Sequence, residues 1–246
     1  MPSADAVAGS PLDRLIRPEI RNDAFCDWIS RIAATPGVHH VLEIGASSGA
    51  GSTESFVAGA LRNPELPSIH CIEVSRVRYA ALEARYRDYG FVHCYNMSSV
   101  PPEAFPTVAD VDAFRRRVWT RFRFIPRRTV LSWLRQDIDY IQREALPTHG
   151  IRLIRDMHAI DTFDAVLIDG SEFTGPADLN EVYGATFVLL DDIRTYKNYH
   201  NYHRLRADSA YRLVVSSRYP RNGFAVFARQ DAPAVAEAPG SGDVTP

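Results

Sequence analysis

Two sets of residues in this chain have the types and spacing for chemistry. Residues 41 to 52 read Val-Leu-Glu-Ile-Gly-Ala-Ser-Ser-Gly-Ala-Gly-Ser. Gly45 and Gly49 let a backbone turn tightly and approach a ligand closely before a helix begins. Glu73 closes the next apolar run, where an acid in such sheets accepts hydrogen bonds from ribose hydroxyls. The nicotinamide fingerprint fails, because Ser47 and Glu54 stand where further glycines are needed. The second set is acidic: Asp169 follows the run AVLI, and Asp191-Asp192 follow FVLL. Neighbouring parallel strands lie about 4.8 Å apart, so these carboxylates should converge on the rim that carries Gly45 and Glu73. Crowded carboxylates take up protons unless a cation sits among them, and oxygen-only ligands suit Mg²⁺. A plainer role stays open: Asp-Gly is a common turn, and Asp191 or Asp192 can cap a helix starting near Thr195.

These residues need a sheet to hold them. Val41–Ile44, Ile69–Val74, Phe91–Tyr95, Ala165–Ile168 and Phe187–Leu190 are short apolar runs, mostly alternating with helical stretches. That order implies right-handed crossovers and a doubly wound, mostly parallel α/β sheet of the Rossmann-like kind. Leu213–Ser216 and Phe224–Phe227 flank an Asn-Gly turn and predict a closing antiparallel hairpin, which makes seven strands. Residues 100 to 160 are too long for one crossover and predict a helical insertion over one face of the sheet, between strands three and four. Within it, 113 to 128 carry seven arginines, and Leu131, Leu134, Ile138 and Ile141 repeat at helical spacing. One domain is expected over 13–230, with a flexible start over 1–12 and a disordered tail over 231–246.

Composition narrows the classes. The 246 residues hold 28 Lys+Arg against 30 Asp+Glu, for a net charge of -2, which argues against nucleic acid as a partner. No apolar run is long enough for a bilayer, so no membrane is expected. Three cysteines without a CxxC pair, and a start without a signal pattern, point to a reducing cytoplasm.

The pattern Glu43-x-Gly45-x-x-x-Gly49, with a strand before it and a helix after it, resembles motif I of class I S-adenosylmethionine-dependent methyltransferases. The closing hairpin is in keeping with that fold. The small polar residues between the glycines look most like the catechol O-methyltransferase group. The resemblance implies that Glu43, Gly45, Ala46, Ser47 and Gly49 line the methionine part of the cofactor and that Glu73 holds its ribose. It places Met97, Ser98 and Ser99 near adenine. Asp169-Gly170 and Asp191-Asp192 look like the two ligand segments of metal-dependent O-methyltransferases, including the sugar enzymes related to macrocin O-methyltransferase. By that likeness Asp169, Asp191 and Asp192 would hold Mg²⁺, and Asp169 would border both cofactor and acceptor. One departure matters. The catechol enzymes carry a lysine base three residues past the first aspartate, and here that position is Glu172. Either Glu172 is the base, or a metal-bound hydroxyl needs none, or His200 or His203 reaches in. The implied reaction is methyl transfer to a hydroxyl of a small molecule, a sugar or secondary metabolite, with an anionic acceptor as one use for the arginines. A binding module, or a hydroxylase-like enzyme on the same fold, is the alternative.

Overall fold

The computed structural model describes residues 10–17 and 20–237. One seven-stranded sheet organises them: β1 (His40–Ile44), β2 (Ser68–Glu73), β3 (Val92–Asn96), β4 (Ala165–Ile168), β5 (Phe187–Asp191), β6 (Tyr211–Ser217) and β7 (Phe224–Arg229). Their order across the sheet is β3-β2-β1-β4-β5-β7-β6, with β7 antiparallel to both its neighbours and the other pairs parallel. The expected doubly wound sheet with a closing hairpin is the fold observed. Helices α1 (Ala24–Ala33), α2 (Ser52–Ala60), α3 (Arg76–Tyr86), α4 (Val108–Arg117), α5 (Arg127–Arg143), α6 (Gly150–His158), α7 (Gly175–Val182) and α8 (Tyr199–Ala207) surround it.

The central strands read as apolar runs because both their faces are covered. Strand alternation divides their side chains between two cores. Leu42, Ile44, Val166, Ile168, Val188 and Leu190 pack with the insertion helices α4 to α6. Val41, Cys71, Leu167 and Leu189 pack with α1 to α3 on the other face. Three of the helices, α1, α3 and α4, start where a side chain satisfies the first backbone N–H groups. Asp23 accepts from Phe25 and Cys26 at the head of α1, Ser75 accepts from Arg78 at the head of α3, and Thr107 with Asp110 forms a capping box on α4.

Residues 1–9 lie outside the described residues, but Pro11–Asp13 form a turn of 3-10 helix, and the Tyr140 hydroxyl donates to Asp13 Oδ1 at 2.5 Å. At the other end the chain past residue 230 is not loose as far as it is described. Arg31 Nε donates to the Ala236 carbonyl at 2.7 Å, and Val235 packs on the α1 side core. Residues 238–246, the rest of the expected tail, are outside the described residues. Among the described residues no helix is long and apolar enough to cross a membrane.

Candidate functional site

Strand register builds the site. Ile44 pairs with Ile72 on one side and Ile168 on the other, and Ile168 pairs with Leu190. The next residue on each strand is therefore Gly45, Glu73, Asp169 and Asp191, all at one rim of the sheet. Gly45 has φ +92°, and a Cβ there would lie 2.3 Å from the Asp169 carbonyl oxygen, so no side chain fits. The turn continues through Ser47, whose backbone N–H donates to Glu73 Oε2 at 2.8 Å, while Glu73 Oε1 accepts from the Ser75 N–H at 2.7 Å. Glu73 thus ties the glycine turn to the start of α3. Burial pushes its carboxyl up from the ordinary range, against these hydrogen bonds.

A cavity of about 250 Å³ opens at this rim. Gly45, Ala46, Ser47, Glu73 and Asp169 line it, together with Ser98 and Ser99 beyond β3. Leu12, Ile16 and Ile20 of the N-terminal segment form part of its wall. The hydroxyl of Ser47 is buried in this wall with no hydrogen-bond partner, a cost that a ligand oxygen or nitrogen would relieve.

Three expected cofactor residues do not reach the cavity lining. Glu43 is fully buried on the α2 side, where the hydroxyls of Ser52 and Thr53 donate to its two oxygens at 2.5 and 2.6 Å. Alternation sets this: Glu43 shares its face of β1 with Val41, so it anchors the first turn of α2 and lies outside the cavity wall. Gly49, at φ +73°, supports the turn from behind, with its carbonyl accepting from the Tyr86 hydroxyl at 2.6 Å. Met97 packs on Gly150 of α6. The Ser98 and Ser99 hydroxyls donate internally, to the Val100 carbonyl and to Asp178, and their carbonyls accept from the Gly150 and Ile151 N–H groups of α6.

The acidic rim converges as expected: oxygens of Asp169, Asp191 and Asp192 lie within 4.8 Å of one another. Its charge is already answered from within the chain. Lys197 Nζ stands 2.7 Å from Asp169 Oδ1 and 3.0 Å from Asp192 Oδ2. Arg221 bonds Asp191 at 3.0 Å and Asp23 at 2.6 Å. Asn222 donates to the remaining Asp192 oxygen at 2.9 Å. Of the three acids only Asp169 borders the cavity, and Lys197 borders it too. Burial works against the lysine's charge, yet Asp169, Asp192 and Asp191 outweigh it and hold the ammonium well above the ordinary lysine range. A resident Mg²⁺ does not fit this arrangement, since it would share two of its three carboxylates with an ammonium and the third with a guanidinium.

The expected bases fare unevenly. Glu172 lies beneath the rim, where it accepts from the Lys197 N–H at 3.3 Å and burial pushes it up to about 7, but it is not in the cavity wall. His200 is exposed on α8 and packs on Phe114, and neither it nor His203 reaches the cavity. An acid absent from the sequence expectations does: Asp137 of α5 lines the cavity, accepts from the Ser171 hydroxyl at 2.5 Å and is pushed by burial to about 6. Its readable signal was a carboxylate set between Leu134 and Ile141, on the apolar stripe of the insertion. Lys197 and Arg221 carried no such signal, since each sits in a polar stretch that reads as solvated. None of the seven insertion arginines lines the cavity; Arg127 pairs with Asp112, and Arg115 holds the Phe122 carbonyl.

No protein-family model and no curated protein matches this chain. Solved structures do. An O-methyltransferase from Bacillus cereus, in complex with SAH, is 12% identical over 84% of this chain and 79% of its own, with a TM-score of 0.45. A methyltransferase from Geobacter sulfurreducens is 11% identical over 85% and 81%, at 0.47. A cofactor-bound protein from MTB is 14% identical over 89% and 85%, at 0.48. These are likenesses of fold alone.

Proposed function

We propose that this chain binds S-adenosylmethionine and transfers its methyl group to a hydroxyl of a small molecule, a sugar or secondary metabolite by resemblance. The observation that supports this best is the join of glycine turn, Glu73 and an unpartnered Ser47 hydroxyl in one cavity at the strand ends. Each Glu73 oxygen gives one lone pair to a backbone N–H and keeps another for ribose hydroxyls. The turn at Gly45 brings bare backbone to the ligand, and the Ser47 hydroxyl is free to meet its polar end.

When bound, the sulfonium supplies an electrophilic methyl group and departs as a neutral thioether. The chain then has three tasks. It orients the acceptor oxygen, excludes water and receives the hydroxyl proton. Asp137, on the cavity wall with a carboxyl near 6, is ionised at neutral pH and can take that proton. Leu12, Ile16 and Ile141 cover the cavity with apolar surface that keeps water away.

Calorimetry with S-adenosylhomocysteine tests the reading. Wild-type protein should bind it, and Glu73→Gln, which keeps shape and loses charge, should bind about tenfold or more weakly through lost charge-assisted hydrogen bonds. Folded wild-type protein with no measurable affinity would overturn the cofactor assignment.

A further inference from the structure

The geometry points to Lys197 as the built-in cation of this site: its ammonium takes the place among Asp169, Asp191 and Asp192 that a divalent ion would fill, and its remaining N–H faces the acceptor oxygen. The second clause rests on the methyl-transfer reading; the first does not.

Among the described residues, this trio is the only group of three or more His, Cys, Asp or Glu side chains close enough to share an ion. Three such carboxylates demand a counter-charge. Lys197 supplies it by bridging two of the three, at 2.7 Å from Asp169 and 3.0 Å from Asp192. The third acid is turned to Arg221, which lies 3.0 Å from it and is itself only 13% exposed. A magnesium ion wants several oxygens at about 2.0–2.1 Å in near-octahedral order. Here it would have to evict one buried cation and compete with another.

Eviction is blocked by how the lysine is held. Lys197 is 7% exposed, and its carbonyl oxygen would lie 1.8 Å from a Cβ at Gly175, so α7 begins directly against this loop. The neighbouring Asn198 donates to the Ile168 carbonyl at 2.8 Å and to the Asp191 carbonyl at 2.6 Å, pinning the loop to the ends of β4 and β5. Asn201 of α8 adds a bond to the Gly175 carbonyl at 2.7 Å. The backbone that carries the lysine is thus held by α7, by the ends of β4 and β5, and by α8. A lysine headgroup has three N–H donors, and the carboxylates use two. Lys197 and Asp169 line the same cavity as Gly45, so the third donor is available to an oxygen held there. An ammonium beside that oxygen favours its anionic form, the service a bound metal performs in metal-assisted chemistry.

Manganese, as MnCl₂ alone, is the probe, read by water-proton relaxation on wild-type protein and on Lys197→Ala. Wild type should hold no stoichiometric Mn²⁺ at about 1 mM, while Lys197→Ala, with its carboxylates uncovered, should gain at least about tenfold in Mn²⁺ affinity. If Lys197→Ala does not fold, the wild-type thermal midpoint in Mg²⁺ against EDTA decides, and it should not move. Wild type that binds Mn²⁺ at the trio or is stabilised by Mg²⁺ overturns the proposal, and so does a folded Lys197→Ala that gains nothing. Calorimetry with S-adenosylhomocysteine on the same samples separates the two readings, because loss of cofactor binding would leave the manganese result standing.

Discussion

Replacing Arg221 with methionine isolates the structural half of the acidic rim. The guanidinium is the cation that meets Asp191, whose side chain is 1% exposed, and it also holds Asp23 at the head of α1. Arg221→Met keeps most of the apolar bulk and leaves Asp191 buried beside Asp192. Burial and the Asp192 charge already push the Asp191 carboxyl up, with Lys197 and Arg221 pulling against them. Without the arginine its cheapest escape is to take a proton. For a carboxyl of ordinary pKa near 3.9, neutralisation at pH 7 costs about 1.36 kcal/mol for each of roughly three units, or about 4 kcal/mol. That figure caps the Asp191 part of the penalty, to which loss of the Asp23 pair adds, and agrees with the roughly 3–5 kcal/mol seen when one partner of a buried pair is removed. At pH 5 the same step costs about 1.5 kcal/mol, so the damage should shrink on acidification. Urea unfolding at both pH values measures this, and Arg221→Met with Asp191→Asn should recover most of the loss at pH 7. A single-variant loss below about 1 kcal/mol at pH 7, or one that ignores pH, would refute the account of Asp191 as a structural acid.

Two further outcomes follow from buried titratable groups. His70 stacks against His93 and His158 with its Nε2 buried and unpartnered, and burial followed by the charges of His158, His93 and His40 drives it down to about 3. Its folded pKa lies below the ordinary 6.5, so its contribution is complete above pH 6.5 and drains as pH falls toward 3, reaching about 2 kcal/mol lost at pH 5; His70→Leu should flatten the pH slope of the urea unfolding free energy between pH 7 and 5 by about 1 kcal/mol per pH unit, and an unchanged slope would count against it. Asp137, at about 6, must be ionised to receive a proton, so activity should fall as pH drops through about 6, and Asp137→Asn should lower kcat about 10²-fold or more while S-adenosylhomocysteine still binds; a fully active variant removes Asp137 from that role.

The sheet was readable because parallel strands covered on both faces must be apolar, and each of the seven runs is a strand within about two residues. The convergence of Asp169, Asp191 and Asp192 was readable for the same reason, since register puts neighbouring strand ends side by side. Glu43 shows how motif and alternation point to different places. Its place in the glycine pattern implies a ligand contact, while the period-two alternation of His40–Ile44 already sets it on the face of Val41, toward the hydroxyls that open α2. The i,i+3 spacing of His200 and His203 fits a solvated helix face better than a site, and both are exposed on α8.

Lys197 was hidden for a different reason. Local sequence cannot distinguish a lysine in solvent from one that a seven-residue loop folds back under a strand end; Asn198 does the folding, through carbonyls of two different strands. What the sequence did contain was a constraint. Three aspartates brought together at strand ends require positive charge nearby, and that requirement holds whatever supplies it. A bound ion and a buried side chain satisfy it equally well in charge and differ in consequence. An ion leaves open positions that a vicinal diol can chelate, whereas an ammonium with one spare N–H can meet a single oxygen. If the proposed methyl transfer is right, Lys197 predicts an acceptor presented through one hydroxyl, positioned by cavity-wall residues that include Asp137 and Ile141 of the insertion.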